Sequence, residues 1–510
     1  MVFLIAGTVW LLSYFQQPIQ VVWHNLYASV FETLPLSGSS SVSDPKGVPR
    51  TTSYGGKLQE AERLMDNEYY SLASVALFNA IKEKPNIIQP YLLLGEIYLR
   101  TKEFDKLDGL IAQIKQVFPE RNEGFVLEVR KLIVQEKFEE ATQMFQSFSG
   151  ILPPELKFYQ AVFLALQNNQ NQTKKILEEL NGYTVEKNEM LLSSTGTVAQ
   201  DSNTVLTSPF SQRVTDMLLA YKNFDVLKEG KNAHLFILLG KALAQNNEAI
   251  LAHNFADLAI KEDVSYIDAW ILRGYTSFLL KDYPSAIEDL RHAHDMDSNR
   301  PQTNYFLGLA LSQSGNTEEA IVFFEKILEH PFELSEDVKW KLVDLYAQTK
   351  KYEKILLLYK DLLNENTKLD QATSALHLLI DIISRPEIAL DFTTKRYEKN
   401  PDDIFTLNIH GWALIANKKF DDAEKVLDHA KDLNPQNPQT LLNLGLLYES
   451  QGEIQKALDF YKQSYEFGKE GNADAIVNLA AQKYNILLEK KGSVLFTSPS
   501  VASDVPKSSP

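Results

Sequence analysis

LNPQNPQTLLNLGLLYESQGEIQKALDFYKQSYE, residues 433–466, superimposes on the stretch one step before it. Gly411 falls on Gly445, Ala423 on Ala457 and Pro401 on Pro435, each 34 residues apart. Upstream the same step carries Gly240 to Gly274 to Gly308, and Ala252 to Ala286 to Ala320. A fixed period of this length marks a solenoid, in which each unit buries its apolar face only against its neighbours. Such a chain gains a long surface and no built-in chemistry.

Counted from the residue that opens each unit, positions 8, 20 and 27 carry small side chains, as two closely crossing helices require. They are Gly445, Ala457 and Ser464 in 438–471, and Gly411, Ala423 and Ala430 in 404–437. In 267–300 they are Gly274, Ala286 and Ala293, and in 233–266 Gly240, Ala252 and Ala259. Unit 301–334 keeps Gly308 and Ala320 but has Ile327. Position 17 holds an aromatic that plugs the helix pair: Tyr283, Phe420, and Tyr352 after a one-residue shift. Pro401 and Pro435 stop one helix and open the connection to the next. This set resembles the tetratricopeptide repeat. The resemblance implies an all-α fold, an α-solenoid of helix-turn-helix repeats in two blocks. Two units depart from the pattern and are expected to be reshaped. Near 336–369 the small positions hold Val343, Ile355 and Leu362, and near 370–403 they hold His377 and Arg396 with only Ala389 kept.

An N-terminal block repeats with the same step, Ala61, Gly95 and Val129 at position 8 and Tyr70, Phe104 and Phe138 at position 17. The expected organisation is a membrane anchor or signal segment at 1–33, a Ser/Gly/Pro-rich linker at 34–53, and an N-terminal repeat block at 54–180. A low-order insertion rich in Ser, Thr and Asn follows at 181–210, then a connecting helix at 211–232. A block of seven repeats occupies 233–471, a capping helix 472–490 and a disordered tail 491–510.

Residues 1–31 contain no Lys, Arg, Asp or Glu. A helix from Val2 to Trp23 would rise about 33 Å, against a hydrocarbon core of about 30 Å. Trp10, Tyr14, Trp23 and Tyr27 suit the two interfaces. A retained membrane anchor is the leading reading. A cleaved signal peptide lacks a positive n-region and an A-x-A site, and the third reading is a soluble apolar helix packed on the first repeats. With no strong positive flank to hold the tether inside, the repeats are expected outside the cytoplasm.

The formal net charge of −16 opposes a nucleic-acid partner, since phosphate contacts need clustered Lys and Arg. The absence of cysteine excludes disulfides, thiolate metal sites and a Cys nucleophile. Beside His292 and His294, Asp295, Asp297 and Asn299 have the spacing that begins an EF-hand loop, but Arg300 and Phe306 stand where its Gly and Glu are required. His377, His410 and His429 read as packed or surface residues rather than ligands. No phosphate-cradling, nucleophile-elbow or helical zinc motif occurs. The two-carboxylate clamp of some tetratricopeptide proteins would use Asn443 at position 6, but Asn408 and Trp412 replace its flanking cations. No catalytic, cofactor or metal site is therefore expected, and no small-molecule substrate.

The expected function is a non-catalytic scaffold, membrane-tethered, that recruits protein or peptide partners in a concave groove. The alternative is an obligate structural subunit of a cell-envelope secretion, pilus or cell-wall assembly machine. A repeat-bearing glycosyltransferase is disfavoured, because the repeats leave no room for a catalytic domain. Positions 2, 5, 9 and 12 of the first helix line the concave face in the resembled family. They place Ile271, Tyr275, Phe278, Tyr305, Leu309, Trp340, Leu378, Phe405, Trp412, Ile415, Leu442 and Leu446 along it. The charges among these positions are mainly Asp268, Asp337 and Asp344, so the expected partner is apolar with some basic residues.

Overall fold

The computed structural model describes residues 54–148, 151–194, 209–226, 231–329, 332–470 and 474–490. The anchor segment 1–33, the linker 34–53 and the tail 491–510 lie outside the described residues. Among those described, every regular element is a helix, and none is long and apolar enough to cross a membrane.

The first block forms the pairs α1 (Tyr54–Asp66) with α2 (Tyr70–Glu83), α3 (Gln89–Arg100) with α4 (Phe104–Val117), α5 (Glu123–Val134) with α6 (Phe138–Ser147), and α7 (Pro154–Leu166) with α8 (Gln170–Ser194). After α9 (Pro209–Asp225) come α10 (Asn232–Gln245) with α11 (Ala249–Glu262), α12 (Ile267–Leu279) with α13 (Tyr283–Met296), α14 (Pro301–Gln313) with α15 (Thr317–Ile327), and α16 (Ser335–Gln348) with α17 (Tyr352–Leu362). The last pairs are α18 (Leu369–His377), extended by a π-helical turn Leu378–Ile382, with α19 (Pro386–Lys399), α20 (Ile404–Ala416) with α21 (Phe420–Leu433), and α22 (Pro438–Gln451) with α23 (Ile454–Glu470). The final helix, α24 (Asp474–Lys490), supplies Ala480, Leu487 and Leu488 to the core of α20–α23 and so covers the last repeat. Helix α8 continues to Ser194, well into the stretch expected to have little regular structure, and α9 begins at Pro209. Glu186, Lys187, Glu189, Met190, Leu191 and Leu192 are good helix formers, and the polar run that interrupts them starts only afterwards. Residues 195–208 lie outside the described set.

The small positions carry the helix crossings. A methyl group on Gly411 would stand 2.5 Å from Leu427, and one on Gly274 would stand 2.6 Å from Leu290. A different requirement falls on position 15, in the turn between paired helices. Its backbone is left-handed in unit after unit, at Glu68, Lys102, Glu136, Asn247, Lys281, Lys350 and Lys418, and only Gly315 and Gly452 fill it with the residue that suits it. The turn is therefore held by the packing of the flanking helices rather than by local preference.

The divergent repeat 370–403 is reshaped around Arg396. This side chain occupies a position that is Ala or Ser in four of the other six repeats of this block, and it is almost wholly buried. It donates to the carbonyls of Thr367 (2.7 Å) and Glu365 (3.3 Å) and to Thr406 Oγ1 (3.2 Å). Opposite it the first helix widens into the π turn, closed by bonds from Ile383 N to Leu378 O and from Arg385 N to Leu379 O.

The chain forms two compact units, divided between Val338 and Lys339 rather than at the insertion. Within the first unit the N-terminal block is joined to later repeats by side chains. Tyr159 donates to Glu248 (2.8 Å), Arg213 pairs with the same carboxylate (3.1 Å), and Lys281 pairs with Glu68 (2.7 Å) across 213 residues. The turn between α1 and α2 thus meets the turn between α12 and α13, and this part of the solenoid closes on itself.

Candidate functional site

The concave-face positions divide into two groups by burial. In the first unit Ile271, Tyr275, Phe278, Tyr305 and Leu309 are buried by the chain itself. Tyr305 donates to Asp337 (2.8 Å), and its ring meets Phe306, Phe324 and Phe332. Tyr275 packs on Phe306 with centroids 4.7 Å apart. Burial pushes both phenols well above the usual tyrosine range, with Asp337 adding to the effect on Tyr305.

In the second unit Trp340 (5% exposed), Ile415 and Leu442 are buried as well. Leu378, Phe405, Trp412 and Leu446 remain half-buried. These four lie on the π turn, α20 and α22, the first helices of three successive repeats. The π turn and the buried Arg396 support this part of the face, since the Arg396 guanidinium lies 5.7 Å from the Phe405 ring centroid. Beneath it a polar ladder ties the repeats together. Asn408 donates to Thr440 Oγ1 (2.9 Å), and Asn443 donates to the backbone and side-chain oxygens of Asn408 (3.0 and 3.1 Å). Asn443 is thereby buried and spent on the scaffold, so it has no role in gripping a carboxylate.

Several of the described histidines pack or pair within the chain. His410 is buried, with Nδ1 3.1 Å from Thr393 Oγ1 and its ring stacked on Tyr397 (4.8 Å between centroids). Desolvation pulls its pKa down to about 4, with Lys419 adding and Asp422 opposing. His292 packs on Trp270, His294 on Phe323, and His429 pairs with Asp402 at the surface. Asp297 accepts from the backbone of Asn299 as an ordinary turn residue. Among the described residues no three His, Asp or Glu side chains converge on a point that could hold a metal ion.

One inner-face residue was not singled out from the sequence. Lys241 stands at position 9 of the repeat 233–266, on α10, and the spacing alone would have found it. The carboxylate nearest in its electrostatic surroundings, Asp268, is already paired with Arg300 at 2.5 Å.

The tetratricopeptide repeat family matches residues 410–474 and 301–329. Among solved structures, yeast Tom70 is 16% identical, with 86% of this chain and 99% of that chain covered, at a TM-score of 0.28. YrrB, described as a tetratricopeptide protein with an unusual peptide-binding site, is 18% identical over 45% of this chain and 97% of its own, at 0.26. PilF of Pseudomonas aeruginosa is 16% identical over 48% and 97%, also at 0.26. No curated protein matches the sequence. The described residues form an α-solenoid of helix pairs that contains tetratricopeptide repeats at 301–329 and 410–474, an architecture suited to protein–protein interaction.

Proposed function

We propose that the chain is a non-catalytic interaction scaffold whose second unit seats an apolar segment of a partner protein on the inner face of α18–α22. The observation that carries this reading is the residual exposure of Leu378, Phe405, Trp412 and Leu446, while every other expected groove residue is covered by the chain itself. Large apolar side chains left open in neighbouring repeats favour burial against a partner, and a half-buried Trp is the type of residue that dominates such contacts. Position 12 carries Asp381 on the π turn and Glu449 on α22, bonded within the chain to His377 and to Tyr461, so a basic residue flanking the apolar segment would share an acid with these side chains. The test is crosslinking and affinity purification of intact protein beside a Trp412→Ala variant. A partner recovered with the first and lost with the second, at unchanged helicity, supports the reading. Recovery that is equal for the two moves the binding surface elsewhere.

The charge-free run 1–31 supports a membrane tether for this scaffold, with the repeats outside the cytoplasm. Removal of 1–33 is expected to release the body into the soluble fraction, and protease added to intact cells or spheroplasts is expected to reach the repeats. Unprocessed full-length protein in the soluble fraction would end the tether reading, and protected repeats the outward orientation.

A further inference from the structure

Residues 70–81, YSLASVALFNAI, contain no Asp, Glu, Lys or Arg. They make up most of α2, the second helix of the first pair. Every other second helix of a described pair carries at least one such charge within its first three turns. One face of α2 buries Ala73, Ala76, Leu77, Ala80 and Ile81 against the core. The opposite face stays open, with Val75 54% and Phe78 51% exposed, and Tyr69 just before the helix is exposed as well. Val75 and Phe78 stand at positions 22 and 25 of their repeat. In later repeats the same two positions hold Glu288 and Arg291, Lys425 and Asp428, and Asp459 and Lys462, side chains that suit an outward face in water. A helix apolar on both faces calls for a cover on each.

The place of α2 in the chain points to what covers it. The charge-free run read above as a membrane tether is separated from α1 by residues 24–53, and a coil of that length spans about 30 Å. Such a link holds the first helix pair near the bilayer surface at an effective concentration on the order of millimolar. With 14 residues α2 rises about 21 Å, too little to cross a hydrocarbon core of about 30 Å, so it fits along the interface and not through it. Ser71, Val75, Phe78 and Lys82 follow one another at helical spacing, an acid-free stripe that ends in a lysine. That is the composition of a helix face that sinks its apolar side chains below the headgroups and keeps its ammonium among them. The formal charge of −16 on the chain opposes a strongly anionic surface, so the fitting lipid is zwitterionic.

We propose that the outward stripe of α2 docks on the bilayer interface that the N-terminal segment enters, so that the first repeat rests on the membrane instead of hanging from it. The inference rests on the tether reading and adds the face of the solenoid that meets lipid. It is independent of the apolar face proposed for the second unit and uses none of its residues.

The test reconstitutes the full-length protein into phosphatidylcholine vesicles. Because the chain has no cysteine, Ser71→Cys offers a single site for an environment-sensitive dye on the stripe. Gln143→Cys, exposed at position 22 on α6, offers the control. The dye at Ser71 is expected to shift to the blue and to be quenched at least two-fold by lipid carrying a nitroxide near the headgroup, while the dye at Gln143 is unaffected. Adding Val75→Glu and Phe78→Glu is expected to abolish the quenching at Ser71, with helicity unchanged and the protein still floating with the vesicles. A Ser71 dye quenched no more than the control, in protein that floats, overturns the docking and leaves the tether standing. A blue-shifted dye that the lipid nitroxide does not quench means that protein covers the stripe, and overturns the docking too. Equal quenching in the double glutamate variant does the same, since the contact would then owe nothing to Val75 and Phe78. Full-length protein that does not float ends the tether and the docking together.

Discussion

His410 gives the unit that contains it a pH dependence whose size follows from its surroundings. The imidazole is buried against Tyr397 and Thr393, and desolvation lowers its pKa from 6.5 to about 4. The unfolded chain therefore takes up a proton at a higher pH than the folded one. Folded stability from this group is complete above pH 6.5 and is lost as pH falls toward 4. Between pH 7.5 and pH 5 the loss amounts to about 2 kcal/mol for those two pKa values. Urea unfolding followed by tryptophan fluorescence at the two pH values, for wild type and His410→Asn, isolates this contribution from carboxylates that titrate in the same range. The asparagine keeps a polar atom beside Thr393 and has no proton to gain. Wild type is expected to lose about 2 kcal/mol more than the variant across the interval. Equal losses would refute the argument, because they would mean that the folded protein accommodates the imidazolium.

Gly411→Ala is expected to cost about 1–3 kcal/mol by overpacking against Leu427, whereas Gly109→Ala on α4, where a methyl group meets nothing within 4 Å, should gain about 0.5–1 kcal/mol; thermal melts of the pair check both. At the left-handed turn position, Lys418→Gly should stabilise by about 0.5 kcal/mol and Gly452→Ala destabilise by about 1 kcal/mol, since both sites are at positive φ and Gly452 has open space around it. Denaturant midpoints that move together, or the opposite way, would contradict this. Arg396→Met should cost about 2–4 kcal/mol by stripping a donor from the buried Thr367 and Glu365 carbonyls, and faster amide exchange over 363–368 would be its local signature.

The helix pairs were legible because their strongest demand is steric and local. Gly274, Gly411 and Gly445 recur where a methyl group would strike the partner helix, and this shows as a period in the sequence. The left-handed turn position was not legible, since Lys and Glu occupy it as often as Gly and the requirement is imposed by the helices on either side. Val343 and Arg396 signalled altered repeats, but the bonds from Arg396 to the Glu365 and Thr367 carbonyls and the π turn at 378–382 are not encoded by spacing. Trp340 and Trp412 were both expected on the concave face, at positions 5 and 9 of their repeats. Trp340 is 5% exposed and packs on Tyr359, while Trp412 stays half-buried, a difference that membership of the concave set does not encode. Lys241 lay in the reading frame of the repeat and needed only the same positions to be followed one unit earlier. The joining of the two blocks into one unit rests on Tyr159, Glu248, Glu68 and Lys281, pairs too distant in sequence for any periodicity to reveal.

The bond between Glu68 and Lys281 makes the first part of the chain count its own repeats. An open solenoid accepts the loss or duplication of a unit, because each unit touches only its neighbours. Here the two turns must arrive opposite each other after a set number of helix pairs, so removing or adding 34 residues between them carries Lys281 away from Glu68. The same change disturbs the reach of Tyr159 to Glu248. Repeat number, freely variable in most such arrays, is in this stretch a fixed property of the architecture.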